Sequence, residues 1–126
     1  MAEQSFPITV QLLERQLVVY RGCRGTSAKA LTDAMRSNYE LGRKPHPADL
    51  RATVLHMAVS MFEDGDRLRR LALHLPERIG THIARLELPA GQGICFADTG
   101  SIGHWSVWGR PGVLKNAIVE LTPIAE

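Results

Sequence analysis

The chain contains no apolar run near the roughly 20 residues that a membrane-spanning helix needs. Its first residues have neither a charged start nor an apolar stretch after it, so no secretory leader is expected. Cysteine is scarce. Cys23 and Cys95 are the two in 126 residues, too few and too far apart for a disulfide framework or a local metal motif. Free thiols fit a cytoplasmic setting. Charge of one sign is also lacking. Fifteen basic against thirteen acidic residues leave a net charge of +2, and no Lys/Arg run is interleaved with aromatics. That argues against a nucleic-acid partner. No repeat, low-complexity stretch or linker divides the chain, so residues 1–126 are read as one domain. Four of the five histidines, His46, His56, His82 and His104, show no zinc-type local spacing, and no metal is expected.

What is present is an ordinary globular composition, 44% hydrophobic and 22% charged. The most informative stretch is 17–22, Leu-Val-Val-Tyr-Arg-Gly. Its first part has the composition of a buried strand. Arg21 stands where that strand leaves the core, either as a solvated strand end or as an anion contact. Gly22 and Gly25 let a ligand approach the backbone closely.

The remaining elements follow from periodicity and punctuation. Residues 8–12 alternate as a short strand; the competing reading is that Leu12, Leu13 and Leu17 line one helical face. Thr26 or Ser27 caps a helix over 28–36. Residues 37–49 form a long polar loop carrying Tyr39, Glu40 and His46, and a loop of that length is a candidate for ligand contact. Asp49 caps a short helix over 50–53, and 54–60 then reads as a buried strand with His56 and Ser60 on one face; a helix over 49–61 is the competing reading. An acidic turn opens a helix over 66–75, which Pro76 stops. Residues 81–88 alternate as a strand, 94–97 form another, and 104–109 carry Trp105 and Val107 on one face with His104, Ser106 and Trp108 on the other. These tryptophans either pack the core or stack on a planar ligand. Pro111 opens a helix over 111–116, and 117–122 is the last strand. The fold class is α+β: a mostly antiparallel, split sheet with two to three short helices. Cys23 is a further candidate as a nucleophile, because Arg21 and Arg24 stand beside it.

In order and shape, residues 17–121 resemble the small bacterial mono-ADP-ribosyltransferases, of the rifampicin-modifying or RES type. The likeness rests on Tyr20-Arg21-Gly22, then Ser37-Asn38-Tyr39, then 54–60 followed at once by a helix, then 81–88. It implies NAD as substrate and an ADP-ribosyltransferase-like fold. It places Arg21 on the nicotinamide ribose or a phosphate, Ser60 as the hydroxyl orienting the ribose, and Gly22 at the close backbone approach. It makes His56 a ring against nicotinamide, Tyr39 part of a covering loop, and Tyr20 part of the NAD-binding set. The superfamily supplies Glu-x-Glu to stabilise the oxocarbenium-like centre, and this chain has no such pair. Asp98 and Glu120 are the carboxylates expected in its stead; Glu87 reads as a surface acid. The function expected is transfer of ADP-ribose from NAD to an acceptor, or hydrolysis of NAD. The alternative is a non-enzymatic α+β module acting through self-association as a homodimer.

Overall fold

Val19, Tyr20 and their neighbours do form a strand, and it lies well inside the sheet. The computed structural model describes residues 9–42, 54–99 and 103–124. In chain order its strands are β1 (Gln11–Leu12), β2 (Leu17–Cys23), β3 (Val59–Phe62), β4 (His82–Leu88), β5 (Cys95–Asp98), β6 (His104–Trp108) and β7 (Ile118–Pro123). Its helices are α1 (Ala28–Ala34), α2 (Gly65–His74), α3 (Pro76–Ile79) and α4 (Pro111–Asn116). The strands form one seven-stranded sheet in the order β1-β5-β6-β3-β2-β4-β7, and every neighbouring pair is antiparallel.

Alternation along the strands feeds two cores, one on each face. Val19 and Cys23 of β2, Val59 and Met61 of β3, and Ala84, Leu86 and Leu88 of β4 join Met35 and Leu114 in the larger core. Leu31 and Ala34 of α1 pack against it. The opposite face buries Ile83 with Leu68 and Ala72 of α2, and Tyr20, Phe62 and Ile79 lie against them. The sheet is therefore covered by α1 and α4 on one side and by α2 and α3 on the other.

The helix starts follow local chemistry. The Ser27 hydroxyl accepts from the Ala30 N–H at 3.1 Å and caps α1. The Asp64 carboxylate accepts from the Asp66 and Arg67 N–H groups and caps α2. Pro111 sits in the first turn of α4, where its missing N–H costs nothing. Pro76 does more than end a helix: α2 closes at His74, and Pro76 then opens the four-residue α3.

Two expectations need correction. The strand over 54–60 is not formed, nor is a single helix over 49–61. Residues 54–56 are helical, and the strand is Val59–Phe62. The backbone of 54–58 satisfies itself in local turns, Met57 N–H to Val54 C=O and Ala58 N–H to Leu55 C=O, and the Trp108 indole N–H claims the Val54 carbonyl at 3.0 Å. The sheet, in turn, is not split into two. It is continuous, but β2 and β3 share one paired position, Tyr20 with Phe62, whereas β2 and β4 pair along all seven residues. Beyond that single rung the two strands part. The expected helix at 50–53 and the histidine at 46 lie outside the described residues.

Candidate functional site

Arg21 stands at this parting. Its Nη1 donates to the Ser60 carbonyl oxygen at 2.7 Å, and its Nε donates to the Ala34 carbonyl at the end of α1. The guanidinium thus links β2, β3 and α1, supplying donors where no ladder N–H does. A groove opens around it with two lobes. One, of about 490 Å³, reaches past Gly22, Arg24, Lys29 and Asp33. The other, of about 440 Å³, reaches past Arg36, Asn38, Ser60 and His104. Arg21, Phe62, Arg78 and Ile79 line both, so α3 and β2 form the shared waist.

The groove is strongly cationic. Arg21, Arg24, Lys29, Arg36 and Arg78 line it, and Asp33 is the carboxylate on its described wall. Asp33 is already engaged, with Lys29 Nζ at 2.9 Å and Arg36 Nη1 at 3.3 Å. The hydrogen bond from Lys29 is the main reason its carboxyl stays below the ordinary aspartate value.

His104 is the polar ring of the second lobe. Its Nδ1 lies 2.7 Å from the Thr99 carbonyl oxygen and 3.2 Å from Thr99 Oγ1. A carbonyl can only accept, so Nδ1 carries the proton and Nε2 is the lone-pair nitrogen of the neutral ring. Thr99 Oγ1 is in turn 2.7 Å from Ser106 Oγ, and both hydroxyl residues are buried. Phe62 meets the imidazole edge to face, with centroids 5.2 Å apart. The ring is thus oriented from two sides.

The residues nominated from sequence fall into two groups. Arg21, Gly22 and Ser60 line the groove. Tyr20, Tyr39, His56, Asp98 and Glu120 line neither lobe. Tyr20 lies on the same face as Phe62 and Ile79, but its ring packs on Gly65, and the hydrogen bond with its hydroxyl is the main cause that raises the Arg85 pKa. Tyr39 is 61% exposed in the turn before residue 43. His56 lies in the helical turn 54–56, and its carbonyl accepts from the Tyr39 N–H. It does not share a strand face with Ser60, because it is not in the strand. Asp98 is exposed on β5, with β6 and β3 between it and β2. Glu120 is exposed on the edge strand β7, opposite Arg85, with β4 and β2 between it and β3.

Two readings of small residues change. The space over Gly22 is filled from within: a β-carbon there would lie 2.2 Å from the Ile79 carbonyl oxygen, so the close approach belongs to α3. Cys23 is fully buried, and burial raises its thiol pKa against the smaller opposing pull of Arg21. That opposes a nucleophilic role.

Sequence reasoning missed Phe62, Arg78 and His104 as members of one site. The signal for His104 was in the alternation that set it on one face with Ser106. Among the described residues, no three His, Cys, Asp or Glu side chains converge as a metal site, and no helix is long and apolar enough to cross a membrane. No family model, curated protein or solved structure matches this chain.

Proposed function

We propose that the groove binds NAD and supports cleavage of its nicotinamide–ribose bond, the ADP-ribose passing to an acceptor or to water. The observation that carries this reading is the joining of Arg21 to Ser60 across the parted strands, at the waist of a groove lined by four further cations. NAD has two negative phosphates joined to two flat rings and their riboses. Such a ligand is matched by cations spread along two connected lobes rather than gathered at one point. Arg24, Lys29 and Arg78, which line the first lobe, are the cations we assign to the diphosphate. Phe62 offers an aromatic surface at the waist, and the Ser60 hydroxyl and Asn38 amide offer hydrogen bonds to ribose and carboxamide. Arg21 fixes the floor of the site and contributes its charge. The resemblance in element order to the small ADP-ribosyltransferases supports the same reading from sequence.

Thermal unfolding with and without NAD tests it. At a hundred times Kd, a ligand that binds the native state stabilises it by about 2.7 kcal/mol, a rise in Tm on the order of 10 °C for a domain of this size. Arg78, exposed and common to both lobes, separates binding from folding. Arg78→Ala is expected to keep the wild-type Tm without ligand and to weaken NAD about ten- to a hundredfold, the range for a charge-assisted hydrogen bond. An unchanged Tm for the wild type at millimolar NAD would overturn the reading.

A further inference from the structure

The groove's described wall carries no acid free of a partner ion pair, yet cleavage in water needs a group to take a proton from the nucleophile. We propose that His104 is the general base, and that the nucleophile it serves is an O–H group, water in the simplest case. The inference rests on the NAD reading above and assigns that site its acceptor chemistry.

The geometry supports the role at each atom. Nδ1 is committed as a donor to the Thr99 carbonyl, and Thr99 is itself held by Ser106, so the tautomer and the ring plane are set. That leaves Nε2 as an acceptor, and no described residue hydrogen-bonds to it. The ring lines the same lobe as Ser60 and Arg21, and Phe62 holds it edge-on. A nucleophile, a base in hydrogen-bond reach and a third group orienting the base is the general pattern for activating an O–H.

The step balances as follows. Water gives its proton to His104 Nε2 as its oxygen bonds to C1′ of the nicotinamide ribose. The C1′–N bond breaks, and its electron pair returns to the ring nitrogen, converting the pyridinium into neutral nicotinamide. ADP-ribose leaves, and His104 releases the proton to solvent. The charged groups around the ring are Arg21 from β2, Arg36 beyond α1 and Arg78 from α3, with Glu63 and Arg67 beside Gly103.

The test is the release of nicotinamide and ADP-ribose from NAD in buffer with no added acceptor, followed from pH 5 to 9. The wild type should gain rate with pH along an acid limb. In His104→Asn the side-chain amide can still donate to Thr99, but no base remains. Its kcat should fall about a hundred- to ten-thousandfold, its KM should change little, and the acid limb should vanish. Nitrogen-15 NMR of the wild-type imidazole should show Nδ1 protonated and Nε2 bare in the neutral form. Equal turnover by His104→Asn, the opposite tautomer, or a wild type that binds NAD but releases no nicotinamide would each overturn the assignment. Failure to bind NAD at all would instead remove the site reading beneath it, and the Tm measurement identifies that case.

Discussion

Gly22 has no room for a side chain. A β-carbon would meet the Ile79 carbonyl oxygen at 2.2 Å and the Ile79 side chain at 2.5 Å, and the first of these is backbone that cannot rotate away. Gly22→Ala must push α3 off β2 and is expected to cost about 1–3 kcal/mol; urea unfolding of the two proteins measures it, and a midpoint within error of the wild type would show that α3 floats freely. At this scale the sequence was informative where backbone grammar was involved. The apolar β-branched run does form a strand, but Arg21 does not end it: β2 continues through Gly22 and the fully buried Cys23, and Arg21 pairs with Ala84 inside the ladder. The sequence was uninformative about carboxylates. Asp98 and Glu120 are each a plausible acid in one dimension, but the strand order that carries them away from the groove leaves no trace in their neighbours. Cys23 shows the same limit in reverse: proximity to two arginines suggested an activated thiol, while its place on the inward face of β2 buries it.

Among the elements, α2 carries the outer core and depends on its start. Leu68 and Ala72 are fully buried beneath it, and the Asp64 carboxylate satisfies two of its first N–H groups. Asp64→Ala should lower stability by about 1 kcal/mol, within the usual range for losing a cap, and Asp64→Asn should restore most of it; circular dichroism melts of both variants decide, and equal loss in the two would assign the effect to charge rather than to capping. Elements with unambiguous punctuation were legible in this way. The helix Pro111–Asn116 was readable to the residue, and β4 to within one, because proline and strict alternation fix them. The 54–60 segment was not, since an apolar run of that length suits strand and helical turn alike. Here the tie was broken by hydrogen bonds from Trp108 and Tyr39, residues distant in sequence.

The whole molecule is two antiparallel blocks joined at a narrow place. β2, β4 and β7 are laddered closely together, as are β3, β6 and β5 with the short β1, while β2 and β3 meet at the Tyr20–Phe62 rung and through the Arg21 side chain. Alternation in the sequence tells which face a residue takes but not which strand lies beside it, so this order and its weak join were illegible before the fold was known. The join has a dynamic consequence. Opening the sheet at one rung breaks far fewer backbone hydrogen bonds than opening it between β2 and β4, so sub-global opening should begin there. Amide hydrogen exchange should be faster in a peptide covering 59–62 than in one covering 82–88. A ligand held in the groove contacts both blocks, binds the closed join and not the opened one, and so must raise the free energy of opening by its own binding free energy at the concentration used. Saturating NAD is therefore expected to slow exchange in 59–62 by about a hundredfold at a hundred times Kd, and to slow residues 82–88 by the same factor where those exchange through global unfolding, because the unfolded chain does not bind NAD either. Equal protection of the two peptides without ligand would show that the blocks open only together, and that the groove lies in a rigid wall rather than at a joint.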